Sequence, residues 1–312
     1  MRAVGFYEFG KPEVLQLIDL PRVHAGPGQV RIRNHAATVN PTDLIARNGN
    51  RSQQMGEDPP PYVPGMEVAG VIDEVGEGVK TGVKRGDKVI GIVVTKADHG
   101  GYREEIVLDA RSVVPLPSGK SFIEGCTLPM NGLTARQVLD RLALSAGQSI
   151  AVTGAAGAFG GYVVQLAKAE GLNVIADASA ADNELVTSLG ADLVLLRGEC
   201  FADSVREHFS DGVDGLADGA VLGQKATAAV KDGGVFASLR GWQGTEERGI
   251  RFETTSVRSY AFEFDKLNKL RQQVEEGALT LRVASTYRPE DTAEAHRRLE
   301  KGGNKGRLVI EF

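Results

Sequence analysis

The sequence predicts an α/β protein that joins a doubly wound parallel sheet to a β-rich domain. Three observations predict it. Residues 1 to about 115 hold short strand-like runs punctuated by turns. From about residue 120, strands and helices alternate. Between Ile150 and Gly171, IAVTGAAGAFGGYVVQLAKAEG, the apolar pattern changes from a buried strand to a helix across a glycine turn.

In the first third, Ala3–Tyr7, Val30–Asn34, Val68–Val75, Lys88–Val94 and Glu105–Leu108 read as strands. Gly26-Pro27-Gly28, Pro59-Pro60-Pro61 and Arg85-Gly86-Asp87 are the turns among them. Asn131–Leu144 reads as a helix with Leu139 and Leu142 on one face, and Ser149–Thr153 as a buried strand. The helix after the glycine turn carries Val163, Val164, Leu166 and Ala167. Strand Asn173–Ala176, helix Asp182–Leu189, strand Leu193–Leu196 and helix Phe201–Phe209 follow. Strand Gly215–Ala217, helix Lys225–Ala229 and strand Gly234–Leu239 complete the alternation, which implies a parallel sheet with helices on both faces. Helices Phe264–Glu276 and Asp291–Gly302 and strand Gly306–Glu311 close the chain. Its 312 residues suit two domains. We place a catalytic or substrate domain at 1–120, completed by 261–312, and a dinucleotide-binding domain at 121–260.

The dinucleotide reading rests on the glycine turn. Ala155, Gly157 and Gly160 fall in the register of G-x-G-x-x-G, between a strand and a helix. Small residues permit a tight turn and close approach of a pyrophosphate, and the helix start offers unpaired N–H groups. Gly154, Ala155, Ala156, Gly157, Ala158, Phe159 and Gly160 are therefore candidate cofactor contacts. An ordinary glycine-rich strand–helix turn is the alternative.

The formal net charge of −5 gives no reason to expect nucleic acid or an acidic membrane surface as partner. Cys126 and Cys200 lie far apart without metal-ligand spacing, which suits buried thiols in a reducing compartment. The N-terminal MRAVGFYEFG lacks a long apolar region, and the apolar window Ile150–Ala169 is interrupted by glycines, Gln165 and Lys168. The expectation is a cytoplasmic protein without a membrane span. The β-branched segment Arg251–Val257 follows the sheet and suggests an edge that pairs with its own copy, hence a homodimer.

Several motifs occur in order: NPTDL (Asn40–Leu44), PGMEVAGVIDEVGEGV (Pro64–Val79), RGDKV (Arg85–Val89), GGYREEIVL (Gly100–Leu108), NGLTA (Asn131–Ala135), VTGAAGAFG (Val152–Gly160) and LGAD (Leu189–Asp192). Together they resemble the medium-chain dehydrogenase/reductase superfamily over essentially the whole chain. NPTDL with NGLTA resembles its zinc-free quinone oxidoreductase, zeta-crystallin-like branch. The resemblance implies a GroES-like catalytic domain and a Rossmann domain. It also implies that Asn40 and Met66 stand where zinc-dependent members place Cys and His, and that Met130 or Asn131 stands near a further Cys. Amide and thioether are poor zinc ligands, so no metal is expected.

Cofactor choice divides two neighbours. Asp177, 23 residues after Gly154, lies near the usual ribose-binding acid and by itself favours NAD. The family pattern instead puts Ala178 at that place, followed by Ser179, which leaves room for the 2′-phosphate of NADPH, with Arg197 as a source of charge. The resemblance further implies that Asn40 lies beside nicotinamide and substrate oxygen, with Asp43 in the same turn. Ile45 stands where the branch often has Tyr, so Tyr62 is the substitute candidate. Thr134 is a candidate cofactor contact, and Arg240 and Gly241 follow a strand end where ligands gather in such sheets. The expected activity is zinc-independent, NADPH-dependent hydride transfer to a quinone or other conjugated carbonyl. Reduction of an alkenal, enone or enoyl-thioester double bond is the alternative, and a low-turnover NADPH-binding sensor or structural protein is a third reading.

Overall fold

The structure, a computed structural model, describes residues 1–50, 58–245 and 248–312. In chain order the strands and helices begin with β1 (Arg2–Gly5), β2 (Gln16–Asp19), β3 (Gln29–Thr38), α1 (Pro41–Arg47), β4 (Glu67–Val75), β5 (Lys88–Ile92), β6 (Glu105–Asp109), β7 (Val113–Pro115), α2 (Phe122–Gly125) and α3 (Pro129–Leu142). They continue as β8 (Ser149–Thr153), α4 (Ala158–Ala169), β9 (Asn173–Ala178), α5 (Asn183–Ser188), β10 (Leu193–Leu196), α6 (Phe201–His208), β11 (Val213–Asp218), α7 (Gln224–Thr227), β12 (Val230–Ser238) and β13 (Arg251–Thr254). The chain ends with α8 (Phe264–Glu275), β14 (Val283–Tyr287), α9 (Thr292–Glu300) and β15 (Arg307–Glu311).

Two compact units result: Met1–Met130 with Ala261–Glu275 and Leu281–Phe312, and Asn131–Tyr260 with Glu276–Thr280. In the first unit the sheet runs β14-β15-β3-β4-β5-β7, with β6 also pairing with β3. Alternation along β4 and β6 explains its core: Val68, Ile72, Ile106 and Leu108 turn inward onto Val30 and Ile32 of β3. In the second unit the sheet runs β10-β9-β8-β11-β12-β13, every pair parallel. That order doubles outward from β8, so the glycine turn after β8 sits where the winding reverses, the position at which such sheets take ligands. All five residues of β8 are buried, as a central strand covered on both faces must be.

The α/β class, the parallel sheet and the β-rich first unit agree with the sequence reading. Some elements differ. β1 stops at Gly5, and Tyr7 is half exposed rather than in a strand. β2, β7 and β14 are too short or too polar to stand out by alternation. The helix expected over 225–229 is only Gln224–Thr227, because the chain re-enters the sheet at Val230. The segment Arg251–Val257 supplies the strand Arg251–Thr254 at the end of its sheet. No helix among the described residues is long and apolar enough to cross a membrane.

Candidate active site

In the first unit, the polypeptide turns from β3 into α1 through Asn40 and Pro41. Proline at the first helical position has no N–H to leave unpaired, and its φ suits the helix. Asp43, one turn in, accepts the Asn40 N–H at Oδ2 (2.8 Å), and its Oδ1 accepts the Gly65 N–H (3.0 Å). The Tyr102 hydroxyl donates to Asp43 Oδ2 (3.0 Å) and lies 3.3 Å from His296 Nε2, while Arg47 Nη1 lies 3.4 Å from His296 Nδ1. A guanidinium can only donate, so Nδ1 accepts and the ring proton belongs on Nε2. A buried chain of donors thus runs from Arg47 through His296 and Tyr102 to Asp43. It ties α1, the Gly65 loop, the Tyr102 segment and α9 to one carboxylate. Asp43 is enclosed, 2% exposed. The sequence reading put it among catalytic groups; here its carboxylate is buried and accepts from Asn40, Gly65 and Tyr102.

Burial pushes the Asp43 carboxyl up to about 6, despite its donors, and burial beside Arg47 holds His296 down to about 3. The two act oppositely on stability. Asp43 binds a proton folded but not unfolded between its ordinary 3.8 and about 6, so it disfavours the fold progressively as pH rises through that window. His296 binds one unfolded but not folded between about 3 and 6.5, so it disfavours the fold as pH falls. Asp43→Asn keeps only the second effect. Urea unfolding should show the variant losing stability from pH 6 to 4.5 by roughly 1–2 kcal/mol more than wild type. Equal slopes would remove Asp43 from this account.

Beside this chain lies a second buried cluster. Arg307 Nη2, at the start of β15, lies 2.6 Å from each of Thr38 Oγ1, Asn40 Oδ1 and Glu67 Oε1. Thr38 Oγ1 also donates to Glu67, and Glu67 Oε2 accepts the Met130 N–H (2.7 Å). Glu67 and Asn40 are fully buried. Asn40, expected beside a substrate oxygen, is enclosed in this cluster. Its Oδ1 is taken by Arg307, and its Nδ2 turns toward Thr38 and Glu67 at 3.4–3.5 Å. The donor set does not suit zinc: an amide, the Met66 thioether and a carboxylate already neutralised by Arg307. No group of three or more His, Cys, Asp or Glu placed to hold a metal occurs among the described residues.

Tyr62 belongs to an aromatic cluster. Its ring stacks on Phe9 (5.4 Å, 17°) and packs on Phe6, and its hydroxyl donates to the Asp58 carbonyl at 2.9 Å. In this arrangement the proton of the candidate donor is directed to that carbonyl.

In the second unit, Gly154 ends β8 with φ +68°, a conformation that favours glycine. Gly157 caps α4 with an ordinary φ of −70°, and a Cβ built there meets only the Gly154 oxygen, at 3.1 Å. A Cβ at Gly160 would collide with the Gly154 carbonyl and lie 2.8 Å from the Ala155 Cα, so Gly160 lets the helix close on the turn. Ala158 and Phe159 open α4, where N–H groups lack helical acceptors, and Ala156 sits partly exposed in the turn. Asp177 does not face outward. It is buried, and its Oδ1 accepts the Ala155 N–H at 3.1 Å. Ala178 ends β9, and its carbonyl accepts the Arg197 N–H at 2.8 Å, which sets Arg197 beside it. The Arg197 side chain is exposed and has no carboxylate within 4 Å among the described residues. Ser179 donates to Asp182 at 2.6 Å.

Arg240 (φ +61°) and Gly241 (φ +76°) form an exposed turn beyond β12. Trp242 packs between Phe236 (5.1 Å) and Phe252 (5.5 Å), so the lone tryptophan serves the core. Thr134 is buried in α3. The sequence reading missed Tyr102, His296, Arg47 and the pairing of Glu67 with Arg307. The available signal was charge inside apolar surroundings: Glu67 opening EVAGVI and Arg307 opening RLVI.

Comparison with known proteins locates two domain families, alcohol dehydrogenase GroES-like domain over residues 26–118 and zinc-binding dehydrogenase over residues 189–310. The chain is 33% identical to the 2-methylene-furan-3-one reductase of Solanum lycopersicum, over 99% of this chain and 79% of that protein. It is 31% identical to the quinone oxidoreductase of Rattus norvegicus, over 99% and 97% respectively. Its fold matches a solved structure of mycobacterial Rv1454c complexed with NADPH (TM-score 0.85, 26% identity, 100% of each chain).

Proposed function

The chain belongs to the medium-chain dehydrogenase/reductase superfamily, with its quinone oxidoreductase-like members, and is an oxidoreductase; from that premise we propose that it reduces quinones or other conjugated carbonyls with NADPH and without zinc. The observation that carries the cofactor is the strand-end geometry. Asp177 is turned inward, the small Ala178 ends the strand, and Arg197 beside it has no carboxylate within 4 Å among the described residues. This leaves room and charge for a 2′-phosphate and no carboxylate for a free ribose hydroxyl pair.

Bound NADPH supplies hydride. The glycine turn and the start of α4 would hold its pyrophosphate, with Gly157 leaving the backbone open to it. Arg197 would receive the 2′-phosphate, while the Ser179 hydroxyl is committed to Asp182. Asp43 and the Arg307 cluster fix the β3–α1 corner. A conjugated acceptor spreads the incoming negative charge over its own π-system, so it needs no Lewis acid, and water completes protonation. The tomato relative's name, a methylene-furanone reductase, favours an exocyclic enone as the second reading.

NADPH oxidation should be followed with a panel of quinones, alkenals and cyclic enones, with NADH alongside and after chelator treatment. We expect turnover with quinones or enones, a preference for NADPH, and no loss on chelation. A preference for NADH, or stoichiometric zinc whose removal abolishes turnover, would overturn the corresponding part.

A further inference from the structure

We propose that Asp177 is a positioning residue that braces the glycine turn and, through its charge, weakens discrimination in favour of the 2′-phosphorylated cofactor; this rests on the dinucleotide reading above.

β9 pairs with β8 on one side and with β10 on the other, with Asp177 opposite Leu195 and Ala178 opposite Leu196. Successive side chains point to opposite faces of a strand. Asp177 therefore turns to one face and Ala178 to the other. On its face, the Asp177 carboxylate receives the N–H groups of both Gly154 and Ala155, the latter at 3.1 Å. Consecutive backbone N–H groups converging on one point form an anion-binding concavity. Here the chain fills it with its own carboxylate, in a site that is 4% exposed. The turn is thus tied to the end of β9 before any ligand arrives, and Gly154 is held at φ +68°.

Two charged groups act on Asp177. Arg197 comes from the end of β10 and Asp218 from the end of β11. Asp218 is itself committed, accepting from Thr153 Oγ1 (2.6 Å) and from the N–H groups of Leu222 (3.0 Å) and Gly223 (2.8 Å). Burial raises the Asp177 carboxyl above its ordinary range, and Asp218 adds to this, while the two loop donors and Arg197 favour the ionised form. Its charge then draws on the same Arg197 that would receive a 2′-phosphate, and repels that phosphate across the strand end. A neutral acceptor there would brace the turn equally well and lift the repulsion.

The two roles separate by substitution. Asp177→Asn keeps an acceptor and loses the charge; Asp177→Leu loses both. In the full-length protein, dissociation constants for NADPH and NADH should be measured by calorimetry. The ratio of NADPH to NADH affinity should rise by about 3- to 10-fold in both variants, a range set by like charges several ångströms apart near a protein surface. NADH affinity should stay within about threefold of wild type in Asp177→Asn and fall at least tenfold in Asp177→Leu, the loss of a bracing acceptor. An unchanged ratio in Asp177→Asn removes the charge role. Equal NADH affinity in the two variants removes the brace. If Asp177→Leu does not fold, the ratio in Asp177→Asn still decides the charge role, and the smaller Asp177→Ala, which also lacks the acceptor, takes the place of Asp177→Leu in deciding the brace. Failure of the wild type to bind either dinucleotide would instead overturn the cofactor reading.

Discussion

Arg307→Met should lose about 3–5 kcal/mol of unfolding free energy, the cost of leaving a buried partner charge uncompensated. Glu67 is fully buried, and Arg307 is its only ion-pair partner among the described residues. With Arg307 gone, Glu67 keeps only the Thr38 hydroxyl, the Met130 N–H and a long contact from Asn40. Asn40 Oδ1 and Thr38 Oγ1 lose a donor at 2.6 Å as well. Pairing the change with Glu67→Gln should recover at least half of the loss, because the buried negative charge goes too. Urea unfolding of the two single variants and the double variant measures this. A loss below about 1 kcal/mol in Arg307→Met would mean the pair contributes no more than an exposed ion pair.

This cluster marks where sequence reading stops. The β8–glycine–α4 unit was legible because its evidence is local: a five-residue apolar strand, a turn and a helical period, all within about two dozen residues. The enclosure of Asn40 is not local. Its Oδ1 partner is 267 residues away, and the Glu67 partner of Arg307 is 240 residues away. No periodicity reports such distances, and NPTDL reads the same whether its amide faces a cleft or a buried guanidinium. Tyr62 shows a related ambiguity, since a tyrosine suits both a site and an aromatic cluster. Asp177 falls between these cases. Strand register predicted that it and Ala178 face opposite ways, but its bond to the Ala155 N–H needed the folded turn.

Gly157→Val should fold and lose dinucleotide affinity by at least tenfold, or roughly 1.4 kcal/mol. The glycine turn allows the fold effect and the ligand effect to be told apart, because its glycines differ in what surrounds them. At Gly160 a Cβ runs into the Gly154 carbonyl and approaches the Ala155 Cα, so any side chain must push α4 off the turn. At Gly157 the φ of −70° suits any residue, and the one close atom is the Gly154 oxygen at 3.1 Å. Nothing else lies within 4 Å of the added Cβ, and a pyrophosphate at the start of α4 would meet the N–H groups of Ala158 and Phe159 beside it. Valine places two methyl groups there and removes that approach. Thermal unfolding should therefore move little in Gly157→Val and fall steeply in Gly160→Val, where backbone atoms leave no space. Calorimetric titration of the folded Gly157→Val protein with NADPH decides. Unchanged affinity would show that no phosphate approaches this turn, and the cofactor would have to be sought elsewhere.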